Sequence, residues 1–160
     1  MTLLEVPTAN QPATLDHMGI AAMVPHSGRM CLLERMCHWS ADAIHCSAIS
    51  HRDAANPLRS PAGLLAPCAV EYAAQAMALH GRLVARRSGP PQGGYIAAVR
   101  GVQWVVPFLH DIAGDLQIHA ERLAGDGQVV SYHFHVDDVT GRRLAEGRAT
   151  VVLEPAESAR

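Results

Sequence analysis

Two short segments place acid–base side chains in unusual surroundings. His26 lies in a turn-forming stretch, Val24 to Arg29, directly before an apolar run. Glu71 lies near the start of an Ala-rich stretch that is otherwise largely apolar. Histidine suits proton transfer because its unperturbed pKa is close to neutral pH. A carboxylate on a buried helix must be paired, hydrogen-bonded or functional. We therefore take His26 and Glu71 as the candidate catalytic pair.

Each residue also has an ordinary structural interpretation. A carboxylate in the first turns of a helix can simply interact favourably with the helix dipole at the surface. A histidine in a turn before a strand can simply be exposed. Gln75 follows Glu71 by four residues, so both lie on one helical face, and the amide could hold the carboxylate by a hydrogen bond.

The surrounding periodicity predicts strands, one long helix, and more strands. The helix is expected from Pro67 to about Arg87, with Val70, Ala73, Ala74, Met77 and Gly81 on one small apolar stripe. The predicted strands are Met30 to Trp39, Ala43 to Ile49, Tyr95 to Val105, Asp115 to Leu123, Val129 to Val136 and Arg142 to Leu153. Short turns join the later strands. This order favours an α+β fold in which an antiparallel sheet wraps around one segregated helix.

The chain length fits a single domain with two short flanking segments. We expect an extended N-terminal arm over residues 1–16, one domain over residues 17–153, and a polar tail over residues 154–160. Pairing of an exposed strand edge between two copies would extend the sheet, which predicts a dimer.

Composition narrows the function classes. The formal net charge is −2 and aromatic residues make up 4%, which predicts no nucleic-acid partner. No apolar run approaches the roughly 18 residues of a membrane span, and no secretory signal is evident, so a cytoplasmic protein without a membrane partner is expected. The four cysteines form no C-x-x-C pair and are expected to be free thiols.

The ten histidines make a metal site an alternative to consider. His133 and His135 share a strand face, and His119 could neighbour them. The spacing permits zinc, but a solvated polar face explains it as well, and three converging ligands are not evident in the sequence. We therefore predict no metal site, which elemental analysis of the purified protein would test.

Both segments resemble the 3-hydroxyacyl carrier-protein dehydratases of fatty-acid synthesis, the FabZ/FabA type. That family has a P-H turn leading into an L-L-x-[DE]-R strand, matched here by Pro25-His26 and Leu32 to Arg35. Its central helix reads I-E-x-x-A-Q, matched from Val70 to Gln75. The resemblance covers about Ile20 to Leu153 and implies a hotdog fold.

The resemblance implies reversible loss of water from a 3-hydroxyacyl thioester, which gives the trans-2-enoyl thioester. His26 would remove the C2 proton, and Glu71 would bind the C3 hydroxyl and assist its departure. In the family the two residues come from different subunits. Ala66, through its backbone N–H, and Gln75 are the predicted oxyanion and substrate-binding residues.

The implied partner is an acyl carrier protein with a phosphopantetheine-linked chain, and no cofactor is required. A homodimer is expected, with a higher or hetero-oligomer left open. Arg86, Arg87 and Arg100 are candidate contacts for the phosphopantetheine arm.

The sequence departs from the family pattern at two places. Arg29 and Met30 stand where the family has Pro and Phe, and Leu65-Ala66 replaces a Pro-Gly turn. These changes are similar to the divergent branch found beside aryl-polyene or polyketide gene sets.

Two other functions fit the same fold. A hotdog acyl thioesterase also uses a carboxylate on this helix, and fold alone does not fix function. A non-catalytic partner subunit of a dehydratase is the second alternative, which the altered stretch before the helix favours.

Overall fold

The described residues form one antiparallel sheet packed against one long helix. The computed structural model describes residues 12–85, 94–126 and 128–153. Its helices are α1 (His17–Ala21) and α2 (Ala69–Val84), and its strands are β1 (Arg35–Trp39), β2 (Ala43–Ala48), β3 (Gly94–Trp104), β4 (Leu116–Gly125), β5 (Val129–Asp137) and β6 (Arg143–Leu153). The strands are ordered β1-β2-β4-β5-β6-β3, and every neighbouring pair is antiparallel. The α+β prediction is confirmed.

The core lies between α2 and one face of the sheet. Alternate residues of the central strands point toward the helix, among them Ile118 and Phe134, both fully buried. Helix α2 contributes Tyr72, Ala76 and Leu83 to the same cluster. Small helix residues let the sheet approach closely, so that the sheet curves around α2.

The helix face that meets the core matches the predicted stripe only in part: Ala73 and Met77 are buried, as the sequence suggested. Val70, Ala74 and Gly81, which the sequence placed on the packing stripe, are only partly buried. The buried residues of the helix are Ala69, Tyr72, Ala73, Gln75, Ala76, Met77, Leu79, His80 and Leu83. The reason is that Tyr72 and His80 are polar only at their tips, which find partners inside the core.

The first predicted strand is shorter than expected. Residues Gly28–Met30 form a 3₁₀ turn, and β1 begins only at Arg35. Between them the backbone bonds to side chains: the Leu32 carbonyl accepts from Ser50 Oγ at 2.8 Å, and the Leu33 carbonyl lies 2.7 Å from His17 Nδ1. These contacts replace a neighbouring strand.

The structure describes only part of the two chain ends. Residues 12–16 of the predicted arm are described, and Leu15 exchanges backbone hydrogen bonds with Met36 of β1. Residues 1–11 and the predicted tail, 154–160, lie outside the described residues, as do Arg86 and Arg87. Within the described residues, no helix has the length and apolar character needed to cross a membrane.

Candidate active site

His26 lies in a turn between α1 and the 3₁₀ turn at Gly28. Val24, two residues earlier, is buried in the core, and Gly28 has a φ of +58°. Glycine adopts this left-handed conformation without strain, so the chain can reverse directly after the histidine. We call residues 24–30 the His26 turn. Its ends are fixed, and the His26 ring projects from it toward the start of α2.

Gln75 fastens the end of the His26 turn to the helix. Its side chain is fully buried, its Oε1 accepts from the Leu32 N–H at 2.8 Å, and its Nε2 donates to the Met30 carbonyl. Both polar ends of the amide therefore bind backbone, and the structure does not present Gln75 as a substrate-binding group. It positions the residues that follow His26.

Glu71 occupies the first turn of α2, where the positive end of the helix dipole favours a carboxylate. The hydrogen bond from His26 lowers the pKa of Glu71 below its ordinary value. Partial burial opposes this effect, and the nearby Gln75 amide adds a smaller contribution in the same direction as His26. Glu71 is therefore ionised at neutral pH.

The structure brings the two candidate residues into direct contact. His26 Nε2 lies 3.3 Å from Glu71 Oε1. The resemblance implied a pair formed between two subunits; within a single chain the two side chains already lie in contact. Their side chains are 25% and 36% exposed, so solvent and a substrate can reach the pair.

The surroundings of the imidazole fix where its proton lies. His26 Nδ1 is buried and makes no hydrogen bond within the described part of the chain. A buried N–H without an acceptor is unfavourable, whereas Nε2 faces an ionised carboxylate. The neutral ring therefore carries its proton on Nε2 and donates it to Glu71.

The backbone N–H of Ala66 is already engaged. It donates to the Pro107 carbonyl at 2.9 Å, and Leu65 forms an isolated bridge with Phe108. Ala66 is fully buried. This structure thus does not offer Ala66 as a free oxyanion donor, contrary to the expectation from sequence.

A polar network next to Glu71 was missed in the sequence. The Tyr72 hydroxyl lies 2.8 Å from Ser50 Oγ and accepts from Asn56 Nδ2 at 3.1 Å. Asn56 Nδ2 also donates to the Ser50 carbonyl. The network fixes the loop after β2 to the start of α2. A tyrosine inside an Ala-rich helix was the available signal, because a buried hydroxyl needs partners.

The pair can perform acid–base chemistry on a bound substrate. The Glu71 carboxylate is a strong hydrogen-bond acceptor, and His26 Nε2, 3.3 Å away, shares a proton with it. Cys68, three residues before Glu71, is the nearest candidate nucleophile by sequence, but burial raises the pKa of its thiol. Cys68 is therefore a neutral thiol, and the site favours proton transfer over attack by a thiolate.

Comparison with known proteins indicates a family and a fold. Residues 18–160 match the model of the ApeP-like family, described as ApeP dehydratase. No curated protein sequence matches the chain significantly.

Two solved structures illustrate the likeness of the fold. The dehydratase heterocomplex ApeI:P from Xenorhabdus doucetiae superposes with a TM-score of 0.75 at 24% identity, over 86% of this chain and 91% of that one. A thioesterase from Haemophilus influenzae superposes with a TM-score of 0.58 at 13% identity, over 80% and 82%. Together with the sheet wrapped around one helix, these likenesses establish the hotdog fold expected from sequence.

Proposed function

The chain belongs to the ApeP-like dehydratase family, and from that premise we propose that it dehydrates a 3-hydroxyacyl thioester carried by an acyl carrier protein. The observation that carries the proposal is the 3.3 Å contact between His26 Nε2 and Glu71 Oε1. Dehydration removes a proton from C2 and a hydroxyl from the adjacent C3. Two acid–base groups this close together match two reacting positions on neighbouring carbons.

We assign the base to His26 and the acid to Glu71. His26 takes the C2 proton, and Glu71 gives a proton to the departing C3 hydroxyl, which leaves as water. The C2–H electron pair becomes the new double bond as the C3–O bond breaks. The pair gains one proton and loses one, so its proton count is unchanged and no cofactor is needed.

The substrate must first displace the resting His26–Glu71 hydrogen bond. The reactive form has a lone pair on Nε2, the ring's proton on Nδ1 and a proton on Glu71. It holds one proton more than the resting pair, so one proton is taken up from solvent as the reactive form is made. In the free chain this form is unfavourable, because Glu71 is ionised at neutral pH and the buried Nδ1 proton lacks an acceptor among the described residues. We therefore expect it to be populated only when substrate is bound.

We further propose that two subunits associate through β3. This strand lies at one end of the sheet, and none of its eleven residues is buried in the single chain. Tyr95, Val99 and Trp104 expose large apolar side chains along it. A long apolar edge strand is a ready site for pairing with another chain. In a homodimer the β3 edges of two copies would pair with each other. The related heterocomplex makes a second dehydratase subunit the alternative partner.

The carrier protein is the proposed substrate donor. Among the candidate arginines, Arg100 is exposed on β3 and available to a phosphate of the phosphopantetheine arm.

The test is a turnover assay on 3-hydroxyacyl carrier protein. We expect the purified chain to form the enoyl thioester, and His26→Ala and Glu71→Gln each to lose roughly 10²–10⁴-fold in rate. Circular dichroism would show that both variants keep the fold. Release of free carrier-protein thiol without enoyl product would instead identify a thioesterase. Turnover only after addition of a second dehydratase subunit would identify a non-catalytic partner.

A further inference from the structure

A row of histidines crosses the sheet on the face away from α2. His38 of β1 pairs with His45 of β2, His45 pairs with His119 of β4, and His119 pairs with His135 of β5. We call these four residues the histidine row. Their strand neighbours in sequence, such as Ile44 and Ile118, are buried on the opposite face against the helix. The row is therefore separate from the His26–Glu71 site.

Three rings of the row, those of His45, His119 and His135, are stacked on one another. His45 and His119 stack with centroids 4.2 Å apart and planes 8° apart, and His119 and His135 stack at 4.5 Å and 19°. They line an open pocket of about 380 Å³, which His133 and Arg143 also border. Burial lowers the pKa of the central ring, His119, to about 4. The His119 ring is therefore neutral at pH 7 and keeps a lone pair.

Three groups converge in this pocket. His119, His135 and Asp137 each offer one ligand atom, and these atoms lie within 4.8 Å of one another. Two ligand atoms on one zinc ion lie at most about 4.2 Å apart, so small side-chain rotations close the set. Asp137 currently accepts from Arg143 Nε at 2.7 Å. Arg143 also donates to Glu146 at 2.9 Å, so it keeps a partner when Asp137 turns to a metal.

The central ring has no competing partner. Within the part of the chain that the structure describes, no protein group hydrogen-bonds to His119, whereas the His45 Nε2 is bound to Gln117 at 2.7 Å. The half-buried imidazole of His119 borders the pocket, so its nitrogens are available to coordinate an ion there.

We propose that His119, His135 and Asp137 form a binding site for a divalent transition metal ion, Zn²⁺ or an ion of similar preference. Two imidazoles and one carboxylate suit such ions and leave a coordination position for water. The sequence alternative invoked His133 as a ligand; the structure replaces it with Asp137, because His133 faces Glu146 at 3.5 Å.

The test uses the full chain, freed of any purification tag and of bound metal. ZnCl₂ is titrated by calorimetry, and CoCl₂ is followed by its visible absorption, which reports histidine and carboxylate ligands. We expect a saturable one-to-one isotherm and a cobalt band typical of four or five ligands. His119→Gln and His135→Gln should each weaken binding by at least roughly 10-fold.

His38→Gln is the matched control, because His38 lines the same pocket but is not one of the three ligands. It should bind both ions as the wild type does. If a histidine variant fails to fold, Asp137→Asn provides the third ligand change and should also weaken binding. No saturable binding to the wild type, or unchanged affinity in folded His119→Gln and His135→Gln, overturns the proposal.

Discussion

Replacing Gln75 with leucine removes the anchor of the His26 turn without removing bulk. Leucine has nearly the same size as glutamine, so no large cavity forms. The change leaves the Leu32 N–H and the Met30 carbonyl without the side-chain partners that now bind them. The Leu32 contact is buried, whereas the Met30 contact is only part-buried and water can reach it.

The cost follows from these two groups. A buried backbone donor left unpaired costs about 1–3 kcal/mol, and a partly hydrated carbonyl that loses its partner costs about 1 kcal/mol. Burial of the leucine side chain offsets about 1 kcal/mol of this. The expected net loss is about 1–3 kcal/mol, which lowers Tm by roughly 3–9 °C for a chain of this size.

The effect on turnover should exceed the effect on stability. At a temperature where Gln75→Leu is fully folded, we expect kcat for dehydration to fall roughly 100-fold, because a shift of about 1 Å in the His26 turn misplaces the base. Gln128→Leu makes the same chemical change at an exposed position and should leave both Tm and kcat unchanged. A Gln75→Leu variant that melts and turns over like the wild type would refute the positioning role.

Three further perturbations have defined outcomes. Burial holds the pKa of His119 at about 4 against 6.5 in the unfolded chain, so the unfolded state binds more protons and stability falls as pH drops from 6.5 to 4. The urea concentration at the unfolding midpoint should fall between pH 6.5 and pH 4, and the fall should be smaller in His119→Gln. The same dependence of the midpoint on pH in both proteins would be contrary evidence. Gly63→Ala places a Cβ 2.1 Å from His110 Cε1, at a residue whose φ is +120°. The substitution should lower the free energy of unfolding by about 1–3 kcal/mol or more, which thermal unfolding measures. An unchanged Tm would contradict the geometry. Val99→Lys should convert the proposed dimer to a monomer, as measured by light scattering. Val139→Lys, at an exposed turn, should leave the dimer intact. A Val99→Lys protein that remains a dimer would argue against association through β3.

The fold was largely readable from the sequence because periodicity reports burial directly. The alternation of Ile44 and Cys46, and of Ile118 and Ala120, placed β2 and β4 correctly. The strand predicted from Met30 was wrong over its first residues, because an apolar run does not reveal what its backbone binds. There the partner is the side chain of Gln75, 45 residues away.

Only part of the site could be predicted, because spacing along the sequence does not show which distant residues make contact. The sequence singled out His26 and Glu71, but it could not show that they touch within one chain. Nor could it show that the Pro107 carbonyl takes the Ala66 N–H, because that contact joins segments 41 residues apart. The histidine row is another case: it exists only through the register of four strands.

Mixing two inactive variants shows whether His26 and Glu71 act within one chain. His26→Ala and Glu71→Gln proteins are unfolded together, refolded as a mixture, and assayed for dehydration. Because each chain carries both residues of its own pair, we expect no recovery of activity above that of the separate variants. If the pair came from two subunits, half of the dimers would be mixed with one intact site of two, and about a quarter of wild-type activity would return. That recovery would contradict the central claim.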